Sequence, residues 1–129
     1  MSMDKLINMI KFNEKGLVPA IIQDEKTKEV LTLCYLNREA IEKTLEEGCV
    51  YVFRRSKGKL MKKGETSGCT QLVKSLCIDC EGNSLLFRVD QKLAACHEGY
   101  FTCYFRQVDK DGNIKILGEK LFDPTKVYK

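Results

Sequence analysis

The chain is built from short apolar runs separated by polar turns, and this pattern constrains its fold more than any other feature. LVPAIIQ (17 to 23) and VLTLCYL (30 to 36) are rich in β-branched and apolar residues and flank the polar segment DEKTKE. Such a pair predicts strand, turn, strand. Five more runs of this kind follow, with turns at CEGN and DKDGN: CVYVFRR (49 to 55), QLVKSLCID (71 to 79), SLLFRVDQ (84 to 91), YFTCYFRQV (100 to 108) and IKILGEKLF (114 to 122).

One segment between these runs predicts a helix instead. Asn37 can cap its start, and Gly48 stands where a left-handed residue ends a helix. Between them lies an apolar stripe of Ala40, Ile41, Thr44 and Leu45. Because strands and helices do not alternate regularly, the sequence favours an α+β, mainly antiparallel β fold over a doubly wound one.

The length of 129 residues fits a single domain, 1–129, and no repeat or linker divides it. There is no apolar run of 18 residues, and MSMDKLINMIKFNEKG is too polar for a signal peptide, so we expect no membrane span and a cytoplasmic location. In that setting the seven cysteines are expected to be free thiols or metal ligands rather than disulfides.

Six of the seven cysteines divide into two groups by their surroundings. Three lie inside apolar runs, and we expect them in the core: Cys34, Cys49 and Cys77. Three lie at turns or strand ends beside polar residues: Cys80, Cys96 and Cys103. Three thiolates would leave a zinc ion one open position, as in catalytic sites. The spacing C-x15-C-x6-C has no CxxC pair, so spacing alone also allows ordinary thiols.

His97, the one histidine of the chain, directly follows Cys96. Histidine can gain or lose a proton near neutral pH, so His97 could serve as general acid or base at a metal-bound water. The alternative is a surface histidine that makes one hydrogen bond.

The segment DCEGN carries side-chain oxygens at Asp79, Glu81 and Asn83, the ligand atoms that Mg²⁺ prefers. The alternative is a hairpin turn that uses Gly82 and Asn83 for their backbone tolerance. Cys80 within the same run favours the metal interpretation, since oxygen and thiolate ligands interleaved would suit two ions of different character.

The segment RRSKGKLMKK (54 to 63) places six cations in ten residues of a chain with a formal charge of +4. An anionic ligand or a solvated loop would explain it; nucleic acid is disfavoured, because no aromatic residues interleave for base stacking. The next segment, KGETSGCTQ, offers glycine-freed amides and two hydroxyls for phosphate oxygens. The candidate substrate-binding residues are Arg54, Arg55, Lys57, Lys63, Glu65, Thr66 and Ser67.

Eight segments occur in an order that resembles the phosphoribosyl-AMP cyclohydrolase family of histidine biosynthesis: GLVPAIIQD, VLTLCYLN, RRSKGKL, KGETSG, DCEGN, LLFRVDQ, AACHEGYFTC and LFDPTKVY. The resemblance implies a barrel-like, intertwined homodimer whose subunits share each active site. It implies one Zn²⁺ per subunit, held by Cys80 of one subunit and by Cys96 and Cys103 of the other. It also implies Mg²⁺ near Asp79, Glu81 and Asn83.

The family's reaction opens the adenine ring of N1-phosphoribosyl-AMP by hydrolysis between N1 and C6, for which zinc would activate water and His97 would move a proton. Four residues depart from the usual family pattern: Met61 replaces Trp, Cys69 replaces His or Asn, Glu81 replaces Asp and Asn83 replaces a carboxylate. Two alternatives therefore stay open. One is a paralogue acting on another purine-like or cyclic amidine substrate, and the other is a catalytically silent module that binds nucleotides or nucleic acid.

Overall fold

The computed structural model describes residues 3–128. Its elements in chain order are α1 (Met3–Met9), β1 (Val18–Asp24), β2 (Val30–Leu36), α2 (Arg38–Glu47), β3 (Tyr51–Arg54), β4 (Lys59–Lys62), β5 (Gln71–Ile78), β6 (Leu85–Gln91), β7 (Arg106–Val108), β8 (Ile114–Ile116) and α3 (Pro124–Val127).

Four strands form the main sheet, in the order β2-β1-β6-β5. The β1–β2 and β5–β6 pairs are antiparallel, and the central β1–β6 pair is parallel. Burial alternates along β1 and β6, so one face of the sheet is covered. The buried apolar side chains of these two strands are Val18, Ala20, Ile22, Leu85, Phe87 and Val89. The α+β, mainly antiparallel prediction is confirmed.

Helix α2 begins and ends at the residues that the sequence indicates. The Asn37 side chain accepts a hydrogen bond from the Ala40 N–H at 2.8 Å, and Gly48 has a φ of 78°. The buried Thr44 hydroxyl lies 2.7 Å from the Ala40 carbonyl oxygen and accepts from the Tyr51 N–H at 2.9 Å. Thr44 therefore ties α2 to β3. The longest helix in residues 3–128 is α2, at ten residues, and none there has the length and apolar character to cross a membrane.

The barrel-like part of the prediction is wrong, because residues 3–128 form three separate sheets and no closed barrel. β3 pairs only with β4 and β7 only with β8, while β2 and β5 remain the edges of the main sheet. A strand lies inside the predicted basic loop, since Arg54 pairs with Lys59 across an antiparallel hairpin. Helix α1 was not predicted; it buries Ile7 in the core.

Only the last three residues of the predicted strand 100–108 form a strand, β7, and only the first three of the predicted strand 114–122 form β8. The Tyr100 and Phe105 rings stack with centroids 3.9 Å apart, which requires the chain between them to turn back. Local hydrogen bonds also replace strand pairing here: the Cys96 N–H donates to the Tyr100 carbonyl and the Ala95 N–H to the Phe101 carbonyl. Apolar composition alone predicted strand where the rings stabilise a loop.

Candidate functional site

A cavity of about 1090 Å³ lies between β2, the basic hairpin (residues 51–62, containing β3 and β4), the glycine loop (63–70) and the cysteine loop (92–105). All seven predicted substrate-binding residues line it: Arg54, Arg55, Lys57, Lys63, Glu65, Thr66 and Ser67. His97 and Cys103 line it as well. Tertiary structure thus brings the basic hairpin and the cysteine loop to one site.

The cavity is electropositive, because six cations and two carboxylates, Glu65 and Glu98, line it. The cations are Lys15, Arg54, Arg55, Lys57, Lys62 and Lys63. None of them forms an ion pair with a carboxylate in residues 3–128, where the salt bridges use Lys28 and Arg38 instead. Uncompensated cations that converge on a concave surface favour an anionic ligand.

The glycine loop is folded tightly beside these cations. Gly64 has a φ of 81°, and a Cβ there would collide with the backbone of Cys69, so only glycine fits. The Ser67 hydroxyl oxygen accepts from the Cys69 N–H at 3.1 Å, which leaves its proton free to donate to a ligand. The loop therefore presents a polar wall to the cavity.

The cysteine loop brings two thiols together. Cys96 is buried, and its Sγ accepts from the Glu98 N–H at 3.4 Å. The Cys103 N–H donates to the Leu31 carbonyl on β2 at 2.7 Å. Burial is the main factor that raises the pKa of the Cys96 thiol; the Glu98 N–H opposes it, and the adjacent Cys103 thiol adds to it. Two neighbouring thiols on one loop are suitable donors for zinc.

His97 is exposed, lies between these two cysteines in sequence and faces the cavity. The His97 ring forms no hydrogen bond with any group in residues 3–128. It is therefore accessible to a ligand in the cavity, as general acid or base chemistry requires.

Cys80 lies elsewhere in the same chain. It is exposed on the turn between β5 and β6, whereas Cys103 is bonded to β2 at the opposite edge of the sheet. Two strand spacings of about 4.8 Å separate β2 from β6, so the two sites are at least about 10 Å apart. Thiolates on one zinc ion lie within about 4 Å of each other. Accordingly, no three potential ligands form a metal-binding group within residues 3–128.

The predicted magnesium residues form a hairpin turn. Asp79 Oδ1 accepts from the N–H groups of Glu81 and Asn83 at 3.1 and 2.8 Å, and Oδ2 accepts from the Ser84 hydroxyl at 2.8 Å. These hydrogen bonds, led by the one from Ser84, lower the pKa of Asp79. Gly82 has a φ of 74° and meets the end of α1, where Lys11 N–H donates to its carbonyl.

The DKDGN segment forms the same turn. Asp109 Oδ1 accepts from the N–H groups of Asp111 and Asn113, both at 2.9 Å, and Gly112 has a φ of 86°. The pattern D-x-[DE]-G-N therefore forms the same turn at both places, through hydrogen bonds to its first Asp. DCEGN therefore forms a hairpin turn, and its side-chain oxygens stay a prediction as magnesium ligands.

The three cysteines predicted in the core differ in burial. Cys34 and Cys49 are half-buried, but Cys77 is exposed, so that prediction is wrong for Cys77. Cys77 lies on the open face of the sheet, where Arg88 donates to its Sγ at 3.8 Å. Cys34 lines the cavity, and burial raises the pKa of its thiol to about 12.

Comparisons with known proteins show the family of this chain. The family model for phosphoribosyl-AMP cyclohydrolase matches residues 32–105, which include most of β2, the basic hairpin, both metal segments and His97. The chain belongs to the phosphoribosyl-AMP cyclohydrolase family. A phosphoribosyl-AMP cyclohydrolase of Desulforapulum autotrophicum is 51% identical over 122 residues, which cover 93% of this chain and 98% of that protein.

Two further proteins are similar to this chain. A phosphoribosyl-AMP cyclohydrolase of Pelotomaculum thermopropionicum is 48% identical over 122 residues, 95% of either chain. The histidine biosynthesis bifunctional protein HisIE of Thermoanaerobacter pseudethanolicus is 46% identical over 127 residues, which cover 98% of this chain and 58% of that protein.

Several cavity residues were not predicted from the sequence. Lys15, Tyr35 and Tyr128 line the cavity but come from segments far from the basic hairpin. The Arg55 guanidinium carbon lies 3.9 Å from the centroid of the Tyr35 ring. The segments VLTLCYLN and LFDPTKVY contain two of these residues, but nothing in their spacing indicates that they reach the basic hairpin.

Proposed function

We propose that this chain is a hydrolase that opens the adenine ring of N1-phosphoribosyl-AMP between N1 and C6, a step of histidine biosynthesis. The observation that carries the proposal is family membership over nearly the whole chain, combined with a cavity where uncompensated cations face His97 and Cys103. The cavity has the size of ordinary small-molecule sites or slightly more, which suits a ligand with two sugars and one base.

The cations and the glycine loop would bind the two phosphate groups of this substrate. Arg55 can present paired N–H donors to phosphate oxygens, and Lys63 adds a point charge. The Ser67 hydroxyl and the loop amides supply neutral donors. Phosphate binding at this wall would direct the adenine ring towards the cysteine loop.

Zinc is the metal that the cysteine loop would hold. The neighbouring Cys96 and Cys103 thiols fit it, and Cys80 of the partner subunit would complete three ligands and leave one position open. Bound zinc would lower the pKa of a water molecule, so that hydroxide is available near neutral pH. His97 would accept or deliver the proton that moves at that water or at N1.

A homodimer is part of the proposal, since one chain does not assemble the three cysteines. An apolar row crosses the uncovered face of the main sheet through the register partners Leu33, Ile21, Leu86 and Cys77. Leu33 is 46% exposed and Ile21 39%, and Leu33 also lines the cavity. A second copy packed on this face would bury apolar surface and adjoin the cavity.

Magnesium binding at Asp79, Glu81 and Asn83 is a weaker proposal. The Asp79 carboxylate already accepts three hydrogen bonds from its own turn, and its remaining lone pairs are the ones a cation would use. The cytoplasmic location stays a prediction from the sequence.

A turnover assay with N1-phosphoribosyl-AMP, combined with zinc analysis, tests the function. We expect ring opening and about one zinc per chain. Zinc-loaded protein that does not convert this substrate but hydrolyses another cyclic amidine would be a paralogue of different specificity. A folded, zinc-loaded protein without turnover on any such compound would instead be a binding module.

A further inference from the structure

The Tyr35–Arg55 contact joins the main sheet to the tip of the basic hairpin. Tyr35 is on β2, where register with Pro19 of β1 fixes its position in the main sheet. Arg55 follows β3 at the tip of the basic hairpin, which is a two-stranded sheet of its own. The hydrogen bond from the Tyr51 N–H to the Thr44 hydroxyl holds the base of the hairpin, whereas Arg55 lies beyond the end of β3. The contact with Tyr35 therefore acts on the position of the Arg55 side chain.

An aromatic ring holds a guanidinium without neutralising it. A carboxylate partner would occupy the N–H donors of Arg55 and cancel its charge, whereas the ring face contacts the planar group and leaves its edge donors free. In residues 3–128, Arg55 has no ion pair with a carboxylate. Arg55 is thus fixed at 3.9 Å over the ring, with its charge and its donors open to the cavity.

We propose that Tyr35 is a positioning residue that holds the Arg55 guanidinium, through the face of its ring, in the orientation that binds a phosphate ester of the substrate. The proposal rests on the proposed function for the nature of the ligand. The Tyr35 hydroxyl makes no hydrogen bond within residues 3–128, so the ring and not the hydroxyl carries this role.

The test is a double-mutant cycle read by direct binding. The probes are AMP and ribose 5-phosphate, which represent the two phosphate ends, with adenosine and ribose as phosphate-free counterparts. Tyr35→Leu should weaken binding of one phosphate ester about 2- to 30-fold, the range of a cation–π contact. It should leave the phosphate-free counterpart unchanged, and Tyr35→Phe should bind like the wild type.

The cycle separates positioning from a general structural effect. In an Arg55→Ala background, Tyr35→Leu should cause no further loss, because the residue through which it acts is absent. The matched control is Arg106→Ala, which removes an arginine 5.2 Å from the Phe105 ring, outside the cavity, and should leave phosphate-ester binding unchanged.

The proposal is overturned by additive losses in the double variant, by wild-type binding in Tyr35→Leu, or by a wild type that binds neither phosphate ester better than its counterpart. A loss with Tyr35→Phe as large as with Leu would also overturn it, since the hydroxyl would then be responsible. Turnover is measured separately, so a protein that binds phosphate esters through Arg55 but does not open the adenine ring would contradict only the proposed function.

Discussion

Mixed dimers of two inactive variants provide the sharpest test of the site, because Cys80 lies apart from Cys96 and Cys103 within one chain. Cys80→Ser and Cys103→Ser should each abolish zinc binding and activity as homodimers. If sites are shared, a mixed dimer has one site with both lesions and one site with none. Each mixed dimer should therefore recover one working site of two.

The size of the recovery follows from random exchange. Equal amounts of the two variants give half mixed dimers, each with half of the sites intact, so activity should reach about a quarter of the wild-type value. Zinc content should recover in the same proportion, measured after unfolding and refolding the variants together. Subunit exchange is verified independently with tagged chains.

A matched pair controls for nonspecific rescue. Cys96→Ser mixed with Cys103→Ser should recover nothing, because both lesions fall on the same side of the shared site and every site then carries one. Cys49→Ser, at a half-buried thiol outside the cavity, should remain active throughout. If the first pair exchanges subunits and recovers neither zinc nor activity, the shared site is refuted.

Two further predictions concern single residues. His97→Ala should keep zinc and oligomeric state while kcat falls about 10²- to 10⁴-fold, the usual size of general acid or base catalysis; loss of zinc would make His97 a ligand, and unchanged kcat would make it a surface histidine. The turn hydrogen bonds lower the pKa of Asp79 and Asp109 below 3.8, so the stability they contribute is present above that pH and is lost as the pH falls through the folded pKa values. Asp79→Ala and Asp109→Ala should thus both lower Tm at pH 7, with the difference from wild type shrinking below about pH 4. Only Asp79→Ala should lower activity in Mg²⁺ if that turn holds the ion, and equal activity of the two variants would remove the magnesium proposal.

The parts of the fold that depend on local interactions were predictable. Asn37 marks the start of α2 and Gly48 marks its end, because capping and left-handed backbone are properties of those residues themselves. The predicted runs at 17–23, 30–36, 71–79 and 84–91 became β1, β2, β5 and β6, since apolar β-branched residues pack well on a half-buried sheet. The candidate phosphate-binding residues were predictable because they are contiguous.

Other features depend on contacts between distant segments. The aromatic run at 100–108 is equally suited to a strand or to a loop closed by the Tyr100–Phe105 stack, and only packing decides between them. Strand period places Cys77 on one face of β5 but does not state which face is covered. The covered face is the one that packs against α1 and α2, whose buried residues share one core cluster with it. Cys77 lies on the opposite face and is exposed.

By itself, the sequence determined the positions of α2, β1, β2, β5 and β6 and the chemical groups available: thiols, one imidazole and a cluster of cations. Only the tertiary structure decided which of these groups meet. It set Tyr35 against Arg55 and the cysteine loop beside the basic hairpin, and it kept Cys80 away from Cys96 and Cys103. The physical reason is that local conformation follows from each residue and its sequence neighbours. A site, in contrast, is formed when segments distant in sequence pack together, and this depends on which face of the sheet is buried.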